Sequence, residues 1–210
     1  MEGAFQEVRK NEILRQPYLD KAIALCPESV SKIIYDPNLY EYGSYVNQLV
    51  SGGALEKAVL RGAQPSPNQD EFLVVPPITL IGKGDKHPIF VTNQAFKKYG
   101  IEELFLNSLI AHEGRHCNDL MHGIELREGT VINYENIHLI QKLTFFKMLE
   151  IRAYYNEAEQ ARKNRINHPL YRTYTRFCLG LELGDLRKIN PISELETMII
   201  SEQVNIYSHL

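Results

Sequence analysis

Two histidines and a glutamate near the middle of the chain have the types and the spacing needed to bind and use a metal. They are His112, Glu113 and His116, in the pattern His-Glu-x-x-His. If this segment is helical, positions four apart lie on one face, about 6 Å apart along the axis, so both imidazoles can reach one tetrahedral zinc ion. Glu113 can then take a proton from a water that the ion holds. The pattern therefore predicts a catalytic zinc site.

The residues before the motif indicate the helix that would position it. Leu104, Phe105, Ile110 and Ala111 give the segment an apolar approach. Such an approach is typical of a helix with a buried face, and not of a solvated helix that carries two unrelated histidines. We predict one helix over residues 101–122, with Gly123 as its C-terminal stop.

The segment resembles the active-site helix of zincin metallopeptidases, the superfamily that His-Glu-x-x-His defines. The resemblance extends over residues 104–123, and it implies a zinc hydrolase without naming a substrate. The expected activity is hydrolysis of peptide bonds in a peptide or protein substrate, with Zn²⁺ as cofactor and Glu113 as general base. The alternative outside enzymes is a zinc-binding, non-catalytic or regulatory protein. Glu113 argues against that alternative, because a purely structural site has no need of its carboxylate.

Glu150 is one candidate for the third protein ligand that catalytic zinc requires. A carboxylate between Leu149 and Ile151, in the apolar middle of a helix, is costly unless it is paired. Glu150 and Ala153 also resemble the second helix of gluzincins, where a small residue after the glutamate ligand lets two helices approach closely. Tyr154 shares the face of Glu150 and could hydrogen-bond a ligand or an oxyanion, so we name it as a catalytic candidate.

His122 is the competing third ligand, because His112, His116 and His122 have the spacing of the metzincin motif. That motif needs a sharp turn at a glycine, and here Asp119 stands in that place. In an unbroken helix, the side chain of His122 would lie about 240° around the helix axis from that of His116.

Peptide deformylases also carry His-Glu-x-x-His, but they take the third ligand from a cysteine in a Glu-Gly-Cys motif. The cysteine upstream of the motif here is Cys26, and Pro27 and Glu28 follow it. The deformylase pattern therefore does not match.

Hydrogen-bond partners for the ligating histidines can also be named. Such a histidine usually donates its second ring N–H to a carboxylate or a carbonyl. Glu157 and Asp119 are the possible acceptors, and His168, Tyr171 and Tyr174 could also enter the cleft.

The remainder of the chain predicts a predominantly helical α+β fold, and the resemblance implies a zincin-like domain with a small hairpin or sheet beside the active-site helix. Residues 1–64 form a helical N-terminal part, and residues 65–210 form the metallopeptidase domain, together one compact unit. Strands over 71–81 and 87–92 form the hairpin, which could pair with an extended substrate. A long helix over 136–165, a short helix over 170–179 and a last helix that opens at Ser193 follow.

Composition excludes several classes of protein. A net charge of −3 and a pI near 6.2 give no support for nucleic-acid binding. No apolar run approaches the length of a membrane span, and three widely spaced cysteines do not form a disulfide framework. The N-terminus carries no apolar stretch of signal-peptide length. These features indicate a cytoplasmic protein, or one exported without a recognisable N-terminal signal.

Overall fold

The structure is a computed structural model that describes residues 2–51, 72–73, 81–166 and 168–208, and it is mostly helical with a small sheet. Its longer helices and its strands are, in chain order, α1 (Glu2–Lys10), α2 (Arg15–Ala22), β1 (Val30–Tyr35), α3 (Tyr40–Ser51), β2 (Phe72–Leu73), β3 (His87–Val91), α4 (Asn93–Lys98), α5 (Glu102–Asn107), α6 (Gly114–His122), β4 (Ile124–Glu125), β5 (Val131–Ile132), α7 (Lys142–Lys163), α8 (Pro169–Leu186) and α9 (Glu194–Tyr207). Among these helices, none is both long and apolar enough to cross a membrane.

A three-stranded sheet with β3 at its centre lies beneath the motif. Its order is β1-β3-β2, with β1 parallel and β2 antiparallel to β3. Every residue of β3 is buried, as expected of a central strand with an apolar sequence. The antiparallel pairing of β2 with β3 is the pairing that the predicted hairpin requires. Strand β1 corrects the prediction of a wholly helical N-terminal part, in a stretch over residues 29–35 whose sequence alone is ambiguous between helix and strand.

The motif lies on one continuous helix, as the sequence predicts. It consists of α5, a π-helical turn (Ser108–Glu113) and α6, which together we call the motif helix. Gly123 follows with a φ of 80°, a left-handed conformation that glycine adopts at little cost and that ends the helix.

The predicted bounds of the next two helices are wrong. The long helix begins at Lys142 and not at residue 136, because Gln141 is extended and donates its backbone N–H to Glu196 Oε1 (3.1 Å). The helix predicted over 170–179 continues to Leu186. Its glycines at 180 and 184 do not end it, because Leu179, Leu183 and Leu186 are buried in a shared core. That burial outweighs a cost of about 1 kcal/mol for each glycine.

The N-terminal part packs directly on the motif helix. Phe5 and Leu19 share one hydrophobic core with Phe105 and Leu109 of the motif helix. A Cβ atom on Gly114 would lie only 2.9 Å from Pro27 Cδ, so the glycine inside the motif permits this close approach. The predicted boundary at residues 64–65 lies outside the described residues, as do most of the strand predicted over 71–81 and residues 52–64.

Candidate metal centre

Three side chains meet where α7 packs against the motif helix. His112 and His116 come from the motif helix and Glu150 comes from α7, and their ligand atoms all lie within 4.8 Å of one another. His112 Nε2 is 3.5 Å from Glu150 Oε2, and His116 Nε2 is 3.3 Å from Glu150 Oε1. The histidines are buried, whereas the side chain of Glu150 is 37% exposed, so the cluster opens to solvent on the side of the carboxylate.

These distances fit a shared metal ion better than direct hydrogen bonds. Charge-assisted N–H···O bonds have typical lengths of about 2.7–2.9 Å. Two donors bound at about 2.0–2.1 Å to one tetrahedral ion lie about 3.4 Å from each other. The separations of 3.3 and 3.5 Å between the histidine nitrogens and Glu150 match the second case. Two imidazoles and one carboxylate are also a donor set that catalytic zinc takes.

The charge around the cluster favours a cation. Burial disfavours the charged form of His112, but the neighbouring carboxylates of Glu150, Glu157 and Glu113 outweigh burial and raise the pKa of His112 well above its usual value. Burial likewise opposes ionisation of Glu150, but His116 and His112 lower its pKa overall. A divalent ion would take the place of the proton on His112 Nε2 and leave that imidazole neutral.

A π-helical turn carries the first histidine and the glutamate of the motif. The backbone N–H of Gly114 donates to the carbonyl of Leu109, five residues earlier. In an ideal α-helix, side chains four apart are offset by about 40° around the axis. The ring centroids of His112 and His116 lie 4.9 Å apart. Nothing in the sequence predicted this turn, although π-turns are frequent at functional sites.

Glu157, one of the two possible acceptors that the sequence offers, orients His112. His112 Nδ1 lies 3.0 Å from Glu157 Oε2, and the other carboxylate oxygen accepts a hydrogen bond from the hydroxyl of Tyr171. Asn107 Nδ2 in turn donates to that hydroxyl oxygen over 3.2 Å. Because all of these groups are buried, the carboxylate holds a proton of His112 on Nδ1, so Nε2 would be the nitrogen that gives its lone pair to a bound metal ion.

Asp119, the other proposed acceptor, has a different role. It is buried and makes two hydrogen bonds to Arg152 (2.8 and 3.1 Å) and an ion pair with Arg115 (2.9 Å). It therefore fastens α7 to the motif helix, and the helix does not turn at this position. His122, which needs such a turn to reach the other histidines, is not part of the cluster, and neither is Cys26.

The predicted tyrosine lies beside the cluster. The ring of Tyr154 packs edge-on against that of His112, with centroids 4.6 Å apart. Burial, together with the charge of Glu150, raises the pKa of Tyr154 well above its usual value, so its hydroxyl stays a hydrogen-bond donor at neutral pH. Of the other cleft candidates, Tyr171 binds Glu157, His168 caps α8 and Tyr174 contacts Lys98. The catalytic role of Tyr154 stays a prediction.

Replacing Glu157 by glutamine should weaken zinc binding about 10- to 100-fold, the usual effect of removing the carboxylate partner of a metal-bound histidine. The dissociation constant can be measured by competition with a chromophoric chelator. Glu159→Gln is the matched control, because Glu159 lies two residues on and pairs with Arg162. Equal zinc affinity in the Glu157→Gln and wild-type proteins would contradict the orienting role of Glu157.

Comparison with known proteins found no similar protein. No protein-family model, no curated protein and no solved structure matches this chain. A functional assignment therefore depends on the geometry and the chemistry of the cluster.

Proposed function

We propose that this protein is a zinc-dependent metallopeptidase of gluzincin-like, zincin-like type, in which His112, His116 and Glu150 hold the metal and Glu113 is the general base. The observation that carries the proposal is the separation of 3.3 and 3.5 Å between the two histidine nitrogens and the Glu150 oxygens. The order of the candidate ligands along the chain also supports the gluzincin-like class, because two histidines lie on one helix and the glutamate lies on a second, long helix.

The residues of the chain divide the chemistry between them. Zinc, when bound, lowers the pKa of water toward 7 and polarises the carbonyl of the scissile bond. Glu113 accepts the proton of the attacking water and later delivers it to the leaving amine. Tyr154 supplies a hydroxyl donor for the negative charge that develops on the carbonyl oxygen. Glu157 keeps His112 in one tautomer throughout.

The purified protein should bind about one zinc ion per chain, and His116→Ala should abolish this stoichiometric binding. His116 supplies one of the three ligands, and two donors alone hold zinc weakly. Elemental analysis after reconstitution and desalting measures the zinc content, and His138→Ala, which changes a histidine far along the chain, serves as the control. Folded wild-type protein without metal after reconstitution would refute the metal site.

Activity is tested separately from metal binding. The zinc-loaded protein is incubated with a mixed peptide library, and new termini are identified by mass spectrometry. Cleavage should disappear with a zinc chelator and return on addition of zinc. Stoichiometric zinc without any cleavage would instead assign the chain to the non-catalytic zinc-binding class.

A further inference from the structure

Two asparagines join the motif helix and α7 by hydrogen bonds that run in opposite directions. Asn107 Nδ2 of the motif helix donates to the backbone carbonyl of Glu157 over 3.1 Å. Asn156 Nδ2 of α7 donates to the backbone carbonyl of Ala111 over 2.7 Å. We call this pair the asparagine clamp. Each helix thereby holds a backbone atom of the other, so the clamp opposes sliding of one helix along the other.

Sliding would move the ligands apart. Glu150 precedes Asn156 by six residues on α7, which is about 9 Å along the helix axis. A shift by one residue would displace Glu150 by about 1.5 Å relative to the motif helix. That displacement is large beside the 3.3 and 3.5 Å separations that relate Glu150 to the histidines.

One of the two hydrogen bonds of the clamp is made to the π-helical turn itself. Ala111 lies inside the turn, and the next residue, His112, lies in the same turn. The asparagine side chain is short, so it can hydrogen-bond the Ala111 carbonyl only when that carbonyl has one position and direction. Asn156 therefore favours the backbone conformation in which His112 faces Glu150. Asparagine is also a poor helix former at the middle of a helix, which indicates that its tertiary hydrogen bond offsets a local cost.

We infer that Asn156 is a positioning residue of the metal centre, which holds the π-helical turn so that His112 faces Glu150. The inference rests on the proposed function only in requiring that the site binds zinc. It assigns no contact between Asn156 and the metal or the substrate. Asn107 acts in the same way from the opposite helix, and it also supports Tyr171.

Asn156→Asp gives a test in which charge and hydrogen bonding predict opposite results. The new carboxylate adds negative charge near a cation site, and charge alone would tighten zinc binding. Loss of the N–H donor and repulsion from the carbonyl of Ala111 would loosen it. We expect the dissociation constant for zinc to rise at least about 10-fold, as for other residues that orient metal ligands. Gln160→Glu makes the same amide-to-carboxylate change one turn along α7, and it should not weaken zinc binding.

A second variant and a metal-free measurement keep the test decisive. Asn156→Leu removes the donor without adding charge, and it should also weaken zinc binding and change the visible absorption of the Co²⁺-loaded protein. In the metal-free variants, amide hydrogen exchange over residues 108–113 should be faster than in the wild type. The inference is wrong if the wild type binds zinc and both variants bind it with the wild-type affinity, whether or not their thermal stability is lower. If the wild type binds no zinc, it is the proposed function that fails.

Discussion

Replacement of Glu113 by glutamine is expected to leave zinc bound and to lower the turnover of peptide hydrolysis at least about 100-fold. Glutamine keeps the shape of the side chain but cannot accept a proton, and removal of a general base costs about 10²- to 10⁴-fold. Glu113 is only 7% exposed, so bulk water and buffer bases have little access to replace it. Turnover of a peptide identified from the library, measured together with zinc content, gives the result.

The matched control for this change is Glu128→Gln, in the exposed loop after β4. It removes one carboxylate from the same protein and should preserve both zinc content and turnover. Full hydrolysis by the zinc-loaded Glu113→Gln protein would assign the base to another residue. Loss of zinc from that variant would show that Glu113 helps to hold the metal.

Replacement of Glu150 by alanine should raise the dissociation constant for zinc by more than about 100-fold. The change removes one of the three proposed protein ligands, so its effect on zinc affinity should exceed that of changing a residue that only orients a ligand. It also leaves two buried histidines without the carboxylate that faces both of them. Competition with a chelator measures the affinity, and circular dichroism shows whether the fold is kept.

His122→Ala is the decisive comparison for this prediction. The motif helix continues through Asp119 to His122, so an unbroken helix cannot aim all three histidines at one point. His122→Ala should therefore bind zinc like the wild type. A large loss of affinity in His122→Ala with little loss in Glu150→Ala would show that the chain turns at Asp119 when metal binds.

The residues of the metal cluster could be predicted because their signals are local. His112 and His116 follow the period of one helix, and Glu150 is an acid in an apolar stretch, which needs a partner. Their juxtaposition then required only two helices in contact. The extent of the motif helix was also predictable, because the apolar approach and Gly123 mark its two ends.

Apart from Glu157, the residues that support the cluster could not be predicted, because their roles depend on contacts between distant parts of the chain. The π-helical turn depends on a backbone hydrogen bond between Gly114 and Leu109, and the contact of Asn156 depends on a hydrogen bond between two helices. Neither leaves a pattern in the sequence. The start of α7 depends on Glu196, which lies 55 residues from its partner Gln141. Strand β1 depends on pairing with β3, which an isolated apolar segment does not reveal.

The parallel pairing of β1 with β3 has a consequence for the order in which the chain assembles. Parallel strands need a crossover, and here residues 36–86 lie between the two. Bringing together two strands so far apart in the sequence costs chain entropy before the strand contacts repay it, so we expect this part of the sheet to form late and to slow folding. Cys117 of the motif helix meets the carbonyl of His87 on β3, which ties the helix to that same strand. Because the motif helix packs on that strand, we expect the surroundings of the candidate metal cluster to be completed late in folding.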